Sequence, residues 1–171
     1  MPSNSINRKI IAMFQYDELI AAGFTGFKTV KQMNNGGLSS VTEAQGVYMI
    51  LYLSSSGEMP KFLPVGTGGF FKGEDPNVSI AELQNNWVEG TPVVYIGKAT
   101  SIKKRLYQYM RFGQGKNVGH KGGRYIWQIP NSENLVVCWK PTKEDSRAVE
   151  AGLIQQFVAE FGKRPFANLR D

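Results

Sequence analysis

One stretch of the chain places a tyrosine, an arginine and a second tyrosine where they could form a polar site. Tyr95 belongs to an apolar strand predicted at 93–96, and a basic helix is predicted to begin at about Ser101. Arg105 and Tyr109 are one turn apart on that helix and therefore share a face. A phenol near the end of a strand and a guanidinium on the next helix predict a polar site over a sheet. The rest of the chain must supply its other wall.

Basic residues are concentrated in and after this helix. Residues 90–132 contain no Asp or Glu, and aromatic residues lie between the cations. The candidate nucleic-acid-binding residues are Lys103, Lys104, Arg111, Lys116, His120, Lys121 and Arg124. A localised basic surface is typical of proteins that bind polyanions, most often nucleic acid. The alternative is a solvated basic face, and His120, in a glycine-rich loop, could simply be exposed.

A single acidic residue lies beside the apolar face of the last predicted helix. Apolar residues recur along this helix at helical spacing, and Glu150 stands one turn before Ile154 on the same face. A carboxylate at the edge of a buried face costs free energy unless it is paired or bound to a cation. Two interpretations stay open, an ion pair with Arg147 or Arg105 and a ligand for a divalent metal ion.

The other apolar patterns predict a small α+β domain. Strands are predicted at 46–53, 93–96, 124–129 and 135–139, and helices at 17–22, 78–88, from about 101, and from 142 to 161. Residues 62–65 and 70–71 flank a glycine-rich turn and could form a small hairpin. This order predicts a small three- to four-stranded mixed or antiparallel sheet flanked by helices.

The chain of 171 residues is predicted to form one domain with an appendage. Residues 1–45, the N-terminal arm, are expected to be a helical arm that packs on the main domain, residues 46–171. Residues 54–90 form a long insertion between two strands. The net charge is +6, and the one cysteine, Cys138, excludes an internal disulfide. No apolar run reaches membrane-spanning length and no signal peptide is recognised, so a cytoplasmic protein without membrane partners is expected.

Two short motifs resemble the signature strands of the GIY-YIG nuclease superfamily. They are Gly46-Val47-Tyr48 and Tyr95-Ile96-Gly97-Lys98, the second with the family's usual following lysine. Arg105 on the next helix, Glu150 on a later helix and Asn168 near the end follow in the family's order. The match covers residues 46–168 and implies a GIY-YIG-like fold. The family usually joins its signature strands by a short turn, whereas residues 49–94 intervene here.

The resemblance also implies a role for each matching residue. Tyr48 corresponds to the tyrosine that helps to activate the attacking water, and Tyr95 to the tyrosine that orients water or phosphate. Lys98 resembles a lysine that favours tyrosine deprotonation, and Arg105 resembles the arginine that binds the scissile phosphate. Tyr109 stands where family members carry histidine or tyrosine.

The same resemblance implies a metal site with a single protein ligand. Glu150 corresponds to that ligand, with Mg²⁺ or Mn²⁺ as the cofactor, and Asn168 to the asparagine that stabilises the site. One carboxylate suits a Mg²⁺ ion that keeps most of its waters. A tyrosine with an ordinary pKa of about 10 is a poor base at neutral pH. Cationic neighbours such as Lys98 and Arg105 would favour its phenolate.

These features predict a metal-dependent endonuclease that hydrolyses phosphodiester bonds in nucleic acid, with DNA as the favoured substrate. Two alternatives stay open. The chain could be a non-catalytic nucleic-acid-binding module that kept the fold, or a nuclease subunit that is active only within a complex. In that second case residues 54–90 would form a docking surface for a partner protein or for a second copy in a homodimer.

Overall fold

A computed structural model describes residues 13–54, 56–70, 73–118 and 122–169 of the chain. In these residues four strands form one antiparallel sheet in the order β1-β4-β2-β3. The strands are β1 Thr25–Thr29, β2 Gly46–Leu51, β3 Val93–Ala99 and β4 Val136–Pro141. The helices are α1 Tyr16–Ala21, α2 Val30–Asn34, α3 Ile80–Asn86, α4 Ile102–Gly113 and α5 Ser146–Phe161. The predicted α+β class is confirmed, and the sheet is antiparallel throughout.

The sheet carries an apolar core on each face, because side chains alternate between the faces along a strand. Tyr48 and Ile50 of β2 belong to the core that α4 covers. Met49 of the same strand belongs to the core on the other face, with Phe157 of α5. β2 is buried along its whole length. Burial on both faces explains why its sequence reads as a continuous apolar run.

The N-terminal arm contributes an edge strand that the sequence did not predict. β1 pairs with β4, and a bulge interrupts the pairing between Gly26 and Lys28. The strand sequence TGFKT is short and contains a glycine, so its alternation and strand preference are both weak. The helix predicted at 17–22 is present as α1. Just before α1, the ring of Phe14 packs edge-on against Phe157 of α5, with 5.1 Å between centroids.

The strand predicted at 124–129 is wrong, because Arg124–Gln128 is a 3-10 helix. Gly123 precedes it in the left-handed conformation, at φ 75°, and turns the chain ahead of the apolar run. Tyr125, Ile126 and Trp127 are all buried. Burial therefore does not alternate as it would along a half-exposed strand. Tertiary packing outweighs the strand preference of these residue types.

The insertion packs on this 3-10 helix. The buried amide of Gln128 accepts a hydrogen bond from the backbone N–H of Val78 and donates to the carbonyls of Leu63 and Val78, each at 3.0 Å. The backbone N–H groups of Leu63 and Thr67 also donate to the 3-10 helix. The hairpin considered for 62–71 is therefore absent from the described residues 62–70, whose backbone bonds go elsewhere.

α5 begins three residues later than the helix start suggested by Thr142. Asp145 is the N-cap, and its carboxylate accepts a hydrogen bond from the backbone N–H of Arg147 at 3.3 Å. Gly162, at φ 79°, ends the helix as predicted. α5 has 16 residues. Within the ranges described, no helix is both long enough and apolar enough to cross a lipid bilayer.

Candidate functional site

The strands that carry the two motifs lie side by side despite the long insertion. β2 and β3 pair antiparallel, with Val47 opposite Lys98 and Tyr48 opposite Gly97. The entropic cost of closing a loop grows slowly with its length, so a long connection is compatible with this pairing. Residues opposite each other share a face, as do residues two apart on a strand. Tyr48, Tyr95 and Gly97 therefore lie together on the face that α4 covers.

Gly97 leaves the space that the ring of Tyr48 occupies. A Cβ atom at position 97 would lie 2.3 Å from Cζ and 2.5 Å from the hydroxyl oxygen of Tyr48. Non-bonded carbon atoms normally approach to about 3.5 Å. Glycine is thus needed here because the Tyr48 ring lies directly against the backbone of β3.

Three tyrosines and an arginine pack together at the site. The rings of Tyr48, Tyr95 and Tyr109, hereafter the tyrosine cluster, have centroids 5.6–6.1 Å apart. The Arg105 guanidinium lies 5.9 Å from the centroid of Tyr109. The predicted polar site over a sheet is therefore present and is built by β2, β3 and α4.

A cleft of about 1050 Å³ opens beside the tyrosine cluster. Five of the seven residues predicted to be catalytic line it, namely Tyr95, Lys98, Arg105, Glu150 and Asn168. They come from β3, α4, α5 and the segment after α5, so residues that are far apart in the sequence converge. The other two, Tyr48 and Tyr109, lie behind this surface and are 0% and 2% exposed.

Tyr109 connects the tyrosine cluster to the far side of the cleft. Its hydroxyl donates a hydrogen bond to the carbonyl of Gly123 at 2.6 Å. A Cβ atom at position 123 would lie 2.3 Å from that hydroxyl. The next residue, Arg124, lines the cleft. Tyr109 is thus placed to position this segment and does not itself face the cleft.

Burial sets the protonation of the tyrosine cluster. Burial raises the pKa of Tyr48, and it raises the pKa of Tyr95 and of Tyr109 well above the ordinary value. The positive charge of Arg105 lowers the pKa of all three hydroxyls, as predicted, but by less than burial raises it. The net effect is a raised pKa, whereas the expected phenolate requires a lowered one. These phenols are therefore hydrogen-bond donors at neutral pH.

The Tyr48 hydroxyl is buried without a well-formed hydrogen bond to the part of the chain that the structure describes. Tyr95 and Arg105 approach it closely enough to lower its pKa. No group in the described residues gives it a hydrogen bond of good geometry. Buried polar groups are nearly always hydrogen-bonded, and the exceptions concentrate at functional positions.

Lys98 and Glu150 form an ion pair inside the cleft. The Nζ atom of Lys98 lies 3.5 Å from Oε1 of Glu150, and the Glu150 side chain is 17% exposed. Lys98 follows Gly97, so it points to the sheet face on which α5 packs. An ion pair for Glu150 was one of the two interpretations left open, although lysine was not the partner suggested. Glu150 remains accessible from the cleft.

The residues of the cleft fit a lightly coordinated divalent ion. Asp145 and Glu150 are the carboxylates among the described lining residues. The described ranges contain no group of three or more His, Cys, Asp or Glu side chains that could hold a metal ion. A closed site of the structural zinc type therefore does not fit this part of the chain. Mg²⁺ or Mn²⁺ with one carboxylate and several waters fits Glu150, if the ion shares or displaces Lys98.

Asn168 holds the segment after α5 against β3, the outermost strand on this side of the sheet, by two hydrogen bonds. Its Oδ1 accepts a hydrogen bond from the backbone N–H of Ile96 at 2.9 Å, and its Nδ2 donates to the Ile96 carbonyl at 2.8 Å. The N–H of Ala167 donates to the carbonyl of Val94 at 2.8 Å. These contacts hold the strand on both sides of Tyr95.

The predicted nucleic-acid-binding residues are divided between the cleft and its surroundings. Lys104 and Arg124 line the cleft. Lys103 and Arg111 are partly exposed on α4, and Lys116 is exposed beyond its end. His120 and Lys121 lie outside the described residues.

Two further cations of the cleft were not predicted to bind a ligand. Arg147 lies in the first turn of α5, and Arg164 follows that helix. The Nε atom of Arg164 donates a hydrogen bond to the carbonyl of Asn168 at 3.2 Å. The segment after α5 has no periodic pattern, so its sequence gave no signal that Arg164 would reach the cleft.

No family model, curated protein or solved structure matches the chain. The resemblance to the GIY-YIG superfamily therefore stays a prediction from the two motifs and from the residues that follow them in order. What the structure establishes is an α+β fold on a four-stranded antiparallel sheet.

Proposed function

We propose that this protein is a metal-dependent endonuclease of the GIY-YIG type, which hydrolyses phosphodiester bonds in nucleic acid, with DNA as the favoured substrate. The supporting observation is that Tyr95, Lys98, Arg105 and Glu150 meet in one cleft. Phosphodiester hydrolysis requires a positioned water, neutralisation of the phosphate charge and stabilisation of the leaving oxygen. A phenol, two cations and a carboxylate supply groups suited to each requirement.

Arg105 holds the scissile phosphate in this proposal. It lies on the inward side of α4, is 8% exposed and still lines the cleft. A charge in such a setting interacts more strongly than one in water. Its planar guanidinium can donate two parallel hydrogen bonds to phosphate oxygens, which an ammonium cannot do. Arg105 would therefore neutralise and orient the phosphate together.

Tyr95 contacts the attacking water or the phosphate, because it is the member of the tyrosine cluster that lines the cleft. Burial raises its pKa well above the ordinary value, so its phenol is protonated at neutral pH. It therefore orients its partner by donating a hydrogen bond. Tyr48 lies behind Tyr95 and beside Arg105, and it positions both of them.

Glu150 is the residue that would hold Mg²⁺ or Mn²⁺. Such an ion would supply Lewis-acid stabilisation of the leaving oxygen and acidification of bound water. Lys98 forms an ion pair with the Glu150 carboxylate, and its side chain is 45% exposed. This flexible side chain can therefore reorient toward the substrate. In that position its ammonium would meet a phosphate.

Tyr48→Phe should separate stability from activity. A buried polar group without a partner costs about 1–3 kcal/mol. Removing the Tyr48 hydroxyl should therefore leave the free energy of unfolding unchanged or raise it by up to about 1 kcal/mol. Cleavage should fall about 10- to 100-fold, because the hydroxyl lies beside Tyr95 and Arg105 and can complete a hydrogen bond to one of them once substrate is bound. Urea unfolding and single-turnover cleavage measure the two effects. Unchanged cleavage would contradict the positioning role.

The proposed activity is tested by nicking of supercoiled plasmid DNA in Mg²⁺ or Mn²⁺. The wild-type protein should produce nicked circles, and EDTA should stop the reaction. Glu150→Ala should lower the rate about 1000-fold, because it removes the proposed metal ligand. Glu160→Gln is the matched control, since Glu160 is an exposed carboxylate on the same helix. It should cleave at the wild-type rate.

A non-catalytic nucleic-acid-binding module is the second candidate. Two observations favour it, the Lys98 ion pair on the only proposed metal ligand and the protonated tyrosine cluster. On this alternative the cleft binds nucleic acid, no metal supports nicking, and Glu150→Ala tightens binding because it removes a negative charge. Retained or tighter binding without any wild-type cleavage, of supercoiled plasmid and of DNA with a single-stranded segment alike, would decide for the module and against the nuclease.

A further inference from the structure

An exposed stripe of α4 leads out of the cleft. Lys104, Tyr107, Gln108 and Arg111 are spaced three and four residues apart, so they form one continuous surface of the helix. Lys104 and Gln108 line the cleft. Tyr107 and Arg111 continue the same surface beyond it. A ligand held in the cleft can therefore extend along α4 and reach Tyr107.

Tyr107 is unusually open for a large aromatic residue. Its side chain is 50% exposed, and the Arg111 guanidinium lies 5.4 Å from the centroid of its ring. A guanidinium over an aromatic ring gains cation–π attraction and restrains the ring. The exposed part of the ring is then a partly ordered apolar surface beside a positive charge.

The cleft receives cations from both faces of the sheet. Lys104 and Arg105 come from α4, which packs on one face, and Arg147 comes from α5, which packs on the other. A duplex presents each phosphate backbone from its outside and keeps its base faces stacked. Cations on opposite sides of a cleft suit one backbone that enters between them. A single strand can enter in this way, and its unpaired bases are then free to stack.

We propose that Tyr107 and Arg111 form a stacking platform for an unpaired base, and that the substrate therefore contains a single-stranded segment next to the phosphate in the cleft. The proposal rests on the proposed function for the identity of that phosphate. Stacking of an aromatic ring on a base tolerates any sequence, because every base has a π face. The platform thus selects single-stranded character rather than a base sequence.

Fluorescence anisotropy with three labelled DNA probes in EDTA tests the platform, because binding is then measured without cleavage. The probes are a 20-nucleotide single strand, the matching 20-base-pair duplex and that duplex with a short single-stranded flap. Tyr107→Ala should weaken binding of the single strand and of the flap about tenfold, the size expected for one stacked base. Binding of the plain duplex should change by less than about twofold.

Two further variants control for the nature of the contact. Tyr107→Phe keeps the ring and should bind all three probes as the wild type does. Phe70→Ala removes an aromatic side chain of similar exposure, 54%, from the insertion and should leave binding unchanged. Thermal unfolding of each variant should match the wild type, since both side chains are half-exposed.

Equal weakening of the single strand and the duplex by Tyr107→Ala would overturn the platform, and so would no weakening at all. These outcomes differ from failure of the proposed nuclease. A Tyr107-dependent preference for single strands in a protein that never cleaves would support the platform and reject the nuclease. Metal-dependent cleavage together with unchanged binding by Tyr107→Ala would support the nuclease and reject the platform.

Discussion

Gly97→Ala should destabilise the protein by about 2–3 kcal/mol, the cost expected when a buried site is overpacked. The added Cβ would lie 2.3 Å from Cζ of Tyr48. That ring is 0% exposed and packs against Tyr95 and Tyr109, so it has no room to move aside. Urea unfolding followed by tryptophan fluorescence would measure the loss. Cleavage should fall as well, because the tyrosine cluster must shift.

Two variants test whether the clash is the cause. Gly152→Ala adds a Cβ in the middle of α5, where the new carbon meets no atom within 4 Å apart from the adjoining backbone of the helix itself. It should raise stability by about 0.5–1 kcal/mol, since alanine favours a helix over glycine. In a Tyr48→Leu background, the atoms nearest to the added Cβ are gone. The cost of Gly97→Ala should then be much smaller, and an unchanged cost would show that the ring is not responsible.

Arg105→Met should lower the single-turnover rate of cleavage about 1000-fold or more, within the range measured when a catalytic arginine or one transition-state donor is removed. Methionine keeps much of the buried volume and removes the charge. Arg105→Lys keeps the charge but loses the planar pair of donors, so a loss of about 100-fold is expected. Either substitution should leave the fold intact by circular dichroism.

Lys103→Met is the matched control for the arginine variants. Lys103 lies on the same helix, two residues earlier and partly exposed, and it does not line the cleft. Its loss should weaken nucleic-acid binding a few-fold and leave the rate at saturating protein unchanged. Equal losses of rate in Arg105→Met and Lys103→Met would mean that Arg105 acts only through general electrostatic attraction.

The sequence contained enough information to predict the parts of the site that regular elements position. The apolar runs of β2 and β3 and the periodic face of α4 were strong patterns, and they predicted a polar site of Tyr95, Arg105 and Tyr109 over a sheet. Tyr48 was assigned to that site only by the resemblance. Glu150 stood out because a carboxylate beside an apolar face needs a partner. Its meeting with Lys98 depends on how α5 docks, which no local pattern specifies.

Other features were hidden because tertiary packing decides them. The apolar run Tyr125-Ile126-Trp127 reads as a strand, but it is buried on all sides and forms a 3-10 helix. The tyrosine pKa values depend on how deeply the rings are buried, and from composition alone the nearby cations suggested the opposite net direction. Arg164 reaches the cleft from a segment with no periodic pattern.

The amide of Asn168 occupies the hydrogen-bonding groups of Ile96 that would otherwise face outward from β3. An outermost strand with free N–H and C=O groups invites pairing with another polypeptide. By occupying those positions, residues 167 and 168 cover this part of the strand edge and disfavour its pairing with a second chain. Loss of this segment would thus do more than loosen Tyr95. It would expose an unpaired strand edge beside the cleft, through which two molecules could pair and aggregate.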